Sequence, residues 1–177
     1  MSSPDFIPHS RPTLGEEEAH AAAEVVRSGQ LAEGPALAAF EGAMASRLGV
    51  AHAIGTSSGT AALHLVLAAM EIGPGDEVIV PSFVCSALLN AVACTGATAV
   101  PVDIDPRTLN VDPADASRHV SARTRAVIVP HMFGLAADLD ALLGLGVPLV
   151  EDCAHSVGGA RRGRPLGSLG GASVFSV

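Results

Sequence analysis

The sequence has 177 residues, a length that suits one domain with a sizeable core. Hydrophobic residues make up 49% and charged residues 16%, which excludes a disordered chain, because disorder needs low hydrophobicity and high charge. Eighteen acidic against ten basic side chains leave a net charge of −8, and the few aromatics are all Phe, so neither a general polyanion binder nor a stacking platform for single strands fits.

The elements follow in chain order. Thr13-Leu-Gly-Glu16 has the form of a capping box, and an Ala/Glu-rich helix is predicted from there to about Arg27, stopped by Gly29. Pro35 opens a second helix, whose Leu37, Phe40, Met44 and Leu48 recur at helical spacing and are expected to pack in the core. Ala53-Ile54 is predicted as a short strand entering Gly55-Thr-Ser-Ser-Gly-Thr60, with a helix from about Ala61 to Ile72. The uncharged run Val78 to Val102 is long enough for a membrane span, but Pro81, Asn90, Gly96 and Pro101 interrupt it. It is therefore predicted as strand, helix (about Val84 to Cys94) and strand (about Ala99 to Ile104). Asp112 caps a further helix, Ala126–Val129 and Leu149-Val150 are strands around a short helix at Asp138–Leu143, and Ala172–Val177 is a last strand. Strands alternating with helices predict a largely parallel sheet covered on both faces, with ligands at the carboxyl ends of the strands.

Two constellations lie at those ends. Thr56-Ser-Ser-Gly-Thr60, between a strand and a helix, offers hydroxyls, a tight glycine turn and free helix N–H groups, which suits a phosphate as well as it suits an ordinary cap. Glu151-Asp-Cys-Ala-His155 leaves a hydrophobic strand with two carboxylates and an imidazole; Asp152 is placed to hold a cationic ring nitrogen and His155 to donate to a ligand oxygen. Helix capping and a satisfied core histidine are the plain alternatives. No spaced second ligand pair suggests a metal. Gly158-Gly-Ala-Arg-Arg-Gly-Arg164 reads as a solvated hairpin or a partner contact. The N-terminus has no basic segment followed by an apolar one, and Cys85, Cys94 and Cys153 form no Cys-x-x-Cys pair, so a cytoplasmic protein with reduced thiols is expected.

In order and spacing these motifs resemble the DegT/StrS family of pyridoxal-phosphate-dependent nucleotide-sugar aminotransferases. The matching stretches run from about Ile7 to Val177: Ser28-Gly-Gln-Leu with Glu33-Gly-Pro35, Ser58-Gly-Thr-Ala-Ala-Leu63, Gly73-Pro-Gly-Asp-Glu-Val-Ile-Val-Pro81, Val102-Asp-Ile-Asp105, His131-Met-Phe-Gly134, Glu151-Asp-Cys-Ala-His155 and Phe175-Ser176. The resemblance implies an α/β, fold type I large domain, three-layered with a mostly parallel sheet, over residues 35–177, preceded by an arm and first helix at 1–34, with no small C-terminal domain in this sequence. It implies pyridoxal 5'-phosphate as cofactor, with Gly59, Thr60, Ala61 and Ser176 at its phosphate. Asp152 would then sit at its ring nitrogen and His155 near its ring hydroxyl. Where the family commonly stacks an aromatic on the ring, this sequence has Cys85, with Phe83 two residues earlier. Ser28 to Pro35 and His131 are candidates for the substrate side, a structural role being equally open for His131.

The implied reaction transfers an amino group from an amino acid, glutamate above all, to a nucleotide-linked keto sugar, in a homodimer. All ten basic residues are Arg; the resemblance places the Schiff-base lysine just past Val177, so these residues are expected to be inactive alone. A histidine at that place would imply a sugar dehydratase of the same family. With neither, a non-catalytic cofactor-binding or interaction fragment is the remaining reading.

Overall fold

The computed structural model describes Pro12–Ser176. Residues 1–11 of the arm and Val177 at the end of the last predicted strand lie outside the described residues. Two helices come first, α1 (Glu16–Ser28) and α2 (Pro35–Leu48), ending at Gly29 and Gly49. The start of α1 differs from the capping box read at Thr13. Its cap is Gly15, and Glu18 reaches back to accept the Gly15 N–H at 2.7 Å.

An alternating α/β unit follows: α3 (Gly59–Ala69), β1 (Glu77–Pro81), α4 (Ser86–Thr95), β2 (Thr98–Val102), α5 (Pro113–His119), β3 (Thr124–Pro130), α6 (Leu139–Leu143) and β4 (Leu149–Asp152). A two-stranded hairpin, β5 (Ala160–Arg161) with β6 (Arg164–Pro165), precedes β7 (Ala172–Val174). The main sheet has the order β2-β1-β3-β4-β7 and every pair in it is parallel. The uncharged run is thus strand, helix, strand, as its Pro and Gly interruptions require. No helix among the described residues is long and apolar enough to cross a membrane.

Strand alternation divides the core into two layers. On one face Leu63 and Leu67 of α3 and Leu88, Ala91 and Val92 of α4 pack against Val78, Val80, Ile128 and Val150. On the other, Leu139 and Leu142 of α6 and Ala116 of α5 pack against Ile79, Val127, Val129 and Leu149. Each fully buried Leu contributes roughly 1.5–3 kcal/mol of transfer free energy. Both faces are covered, as all-parallel sheets require.

Two expectations fail around α2. Ala53-Ile54 forms no strand: Ile54 is exposed, and Gly55 N–H donates to the Glu41 carboxylate at 2.7 Å instead of to a neighbouring strand. The Leu37, Phe40, Met44, Leu48 stripe is not core. Only Leu48 is buried, and the stripe instead walls an open cleft beside α3 and β7. The periodicity was that of an apolar face, but among the described residues no strand or helix covers it.

Candidate functional site

The sheet order reverses between β1 and β3, and the carboxyl ends of β1, β3, β4 and β7 open on one side. Ser82–Cys85, His131–Gly134, Cys153–His155 and Phe175-Ser176 follow those ends directly.

The head of α3 is the first part of the site. Ser58 Oγ caps the helix by accepting the Ala61 N–H at 3.1 Å, and Thr56 Oγ1 donates to the Ser58 carbonyl at 3.0 Å. The N–H groups of Gly59 and Thr60 stand at the unpaired, positive end of the helix. Ser176, two residues beyond β7, lies against this turn: a Cβ at Gly59 would come 3.4 Å from Ser176 Cβ and 3.7 Å from its Oγ. Thr60 and Ser176 are exposed and Ala61 is half-buried. A cleft of about 660 Å³ runs from this corner along Phe40, Met44 and Ile54.

Asp152, the last residue of β4, is the second part. It pairs in register with Val174 of β7, and Cys153 N–H donates to the Val174 carbonyl at 2.7 Å, so Asp152 lies beside the end of β7, two residues before Ser176. Asp152 is buried, and among the described residues its carboxylate has one hydrogen-bond partner, the Ala154 N–H at 3.1 Å, to Oδ1. Burial pushes its carboxyl above the ordinary range; the Ala154 hydrogen bond and the charges of His155 and His131 only partly offset that. Asp152 lies outside the walls of the cleft, as do His155 and Cys85.

His155 is exposed, which removes the core-histidine alternative. Phe133 stacks on it, with ring centroids 5.8 Å apart and planes at 20°. Phe133 N–H donates to His155 Nδ1 at 3.4 Å. Cys85 is exposed and occupies the cap position of α4, with Phe83 exposed before it.

His131 corrects an expectation. It was a candidate for the substrate side, yet it is fully buried, and its Nε2 lies 3.1 Å from Glu151 Oε2. Its Nδ1 accepts the Ala137 N–H at 3.2 Å, so the ring proton belongs on Nε2 and is donated to Glu151. Glu151 also accepts from the N–H groups of Gly167 (2.8 Å), Leu169 (2.7 Å) and Gly170 (2.6 Å). Burial alone would raise its pKa, but these four hydrogen bonds together bring it below the ordinary value. The ligand atoms of His131, Glu151 and Cys153 lie within 4.8 Å of one another. They make a poor metal set, since the carboxylate is saturated with donors and burial pushes the Cys153 thiol up to about 12.

The Glu151 hub was missed in the sequence. A carboxylate in an apolar strand ahead of a Gly-rich turn was the available signal. The basic loop is the hairpin expected: Arg161 bridges Asp138 and Asp140 at 2.8 Å each, and Arg162 joins Asp140 at 3.1 Å.

A sequence model of the DegT/DnrJ/EryC1/StrS aminotransferase family matches residues 12–177. The chain belongs to this family. Solved structures agree. 3-Amino-5-hydroxybenzoic acid synthase is 37% identical with a TM-score of 0.91, over 99% of this chain and 47% of that one. DesV of S. venezuelae, solved in complex with a ketimine intermediate, is 42% identical with a TM-score of 0.84, over 90% and 43%. The PLP form of the putative sugar aminotransferase Spr1654 from Streptococcus pneumoniae is 29% identical with a TM-score of 0.92, over 96% and 48%. The chain therefore spans about half the length of these family members. The fold is the large-domain α/β fold that the resemblance implied.

Proposed function

We propose that this chain forms the pyridoxal-phosphate-binding part of an aminotransferase that moves an amino group from glutamate to a nucleotide-linked keto sugar, working as a cytoplasmic homodimer. The observation that carries this reading is Asp152. A buried carboxylate with one hydrogen bond and no ion pair among the described residues is costly unless a cation completes it. A protonated pyridine nitrogen is such a cation.

The rest of the site fits the same group. The N–H groups at Gly59 and Thr60, backed by the Ser58 cap and by Ser176, suit a phosphate dianion. A Cβ at Gly59 would stand against Ser176, so glycine keeps the space beside these N–H groups clear. Asp152 would hold the ring nitrogen and keep its proton on. His155, its Nδ1 occupied by Phe133 N–H, has Nε2–H left to donate to a ring oxygen. Cys85 would pack a thiol where an aromatic is more usual, a weaker but favourable contact. When bound, the group supplies an electron sink for the carbon bearing the amino nitrogen. The chain has no lysine, so a covalent attachment draws on a residue outside this sequence. The similarity to 3-amino-5-hydroxybenzoic acid synthase and to the putative sugar aminotransferase Spr1654 supports a cyclic substrate.

The test is to incubate the holoenzyme with glutamate and nucleotide-linked keto sugars. The expected result is an amino sugar, detected by mass spectrometry, with one equivalent of 2-oxoglutarate. A deoxygenated sugar without new nitrogen would replace this reading with the dehydratase. Pyridoxal phosphate binding unaffected by Asp152→Ala would remove its basis.

A further inference from the structure

Phe133 is exposed over 69% of its surface, so core packing does not explain it. Its backbone is left-handed, at φ 54° and ψ 27°. For a bulky residue that conformation is strained and persists only where the surroundings impose it. Here they do. Buried Asn110 brackets the turn with one side-chain amide: Oδ1 accepts the Met132 N–H at 2.9 Å and Nδ2 donates to the Leu135 carbonyl at 3.0 Å. His131, at the base of the turn, is pinned by Glu151 and Ala137. Gly134 follows at φ 83°, close enough that a Cβ there would stand 3.4 Å from the His155 carbonyl oxygen.

The product of this strained turn is a ring laid on His155 and a backbone N–H aimed at its Nδ1. A ring nitrogen that accepts a hydrogen bond carries no proton, so a neutral His155 in this setting carries its proton on Nε2.

We propose that Phe133 is a positioning residue for His155: the Asn110-bracketed turn holds the imidazole in place and selects its Nε2–H tautomer, so that the site presents a donor and not an acceptor to the ligand oxygen. This rests on the proposed function only for what that donor meets. The tautomer preference itself belongs to the chain.

The test is long-range proton–nitrogen correlation NMR on the full chain with ¹⁵N-labelled histidine, His155 being assigned by the signal lost in His155→Gln. The wild type should show the Nε2–H form in an excess above that of free histidine, which itself favours this form; one hydrogen bond of ordinary net strength multiplies the ratio by roughly five. Asn110→Ala releases the bracket that aims the residue-133 N–H, whereas Phe133→Ala keeps that N–H and removes the stack that holds the ring against it. Asn110→Ala should bring the tautomer ratio down to that of free histidine, Phe133→Ala should lower it part-way, and Phe133→Tyr should keep the wild-type ratio. A second measurement is a double-mutant cycle in pyridoxal phosphate affinity. Phe133→Ala should weaken binding in the wild type and do nothing further in His155→Ala.

An unchanged tautomer ratio in both Asn110→Ala and Phe133→Ala overturns the proposal, even if the cofactor binds. A tautomer shift in a chain that does not bind pyridoxal phosphate keeps it and removes the functional reading instead.

Discussion

Glu151 and Asp152 are chain neighbours on β4, but strand alternation sends them to opposite faces, and their surroundings differ accordingly. Glu151 accepts four hydrogen bonds from two separate segments, His131 and the loop Gly167 to Gly170. Removing its charge strands four donors, two of them buried, so Glu151→Ala should destabilise by about 3–5 kcal/mol in urea unfolding. Its folded pKa is below its unfolded value, so its contribution is present above the unfolded value and lost as pH falls through the folded one. Asp152 behaves in the opposite sense. Its folded pKa is raised, so its ionisation works against folding as pH rises from the unfolded value through the folded one. Asp152→Asn keeps the acceptor for Ala154 N–H and removes the unpaired charge. Without cofactor, it should therefore be more stable than the wild type at neutral pH, by about 1–3 kcal/mol, and equal to it below the unfolded carboxyl range. A neutral-pH loss of stability in Asp152→Asn would mean that the carboxylate already has a cation.

Among the elements, α3 carries both a core stripe and a ligand-facing head, and the two are separable. Gly59 is its first residue, and a Cβ there meets Ser176 at ordinary contact distance. Gly59→Ala should therefore leave stability unchanged or raise it by up to about 1 kcal/mol. Phosphate and pyridoxal phosphate affinity should nevertheless fall about tenfold, since the added Cβ crowds the corner between the helix-head N–H groups and Ser176 where the anion would sit. Isothermal titration alongside a thermal melt separates the two effects; loss of stability with affinity intact would make the α3 head a plain cap.

The same helix shows what the sequence made legible. Leu63 and Leu67 are buried as their spacing predicts, and the alternation of β1, α4, β2, β3 and β4 placed Asp152 and His155 at a strand end. Local signals suffice where a side chain's role follows from its own period. They failed for Ala53-Ile54 and for the α2 stripe, whose local pattern is sound but which lack a covering strand. They failed also for His131, whose partners Glu151 and Ala137 were not readable as contacts. Asn110 had no signal at all, since its two hydrogen bonds bracket a turn more than twenty residues away.

At the scale of the molecule, the groups offered to a ligand come from three elements that meet only in the folded chain. These are the head of α3, the end of β4, and the residues beyond β7. A ligand touching all three binds the native state and not the unfolded one, so it stabilises the whole chain by mass action, by about 2.7 kcal/mol at a hundredfold excess over its Kd. For a domain of this size that is several degrees in Tm, at roughly 2–4 °C per kcal/mol. On the proposed function, inorganic phosphate would meet only the α3 head and Ser176, whereas pyridoxal phosphate would also bring a ring nitrogen to Asp152. The cofactor should therefore raise Tm further than phosphate at equal occupancy, because it removes the cost of an unpaired buried carboxylate as well as filling the anion corner. In Asp152→Asn that extra increment should vanish while the phosphate increment stays. Equal shifts for both ligands in the wild type would mean that Asp152 does not meet the ring, and that the α3 head alone accounts for binding.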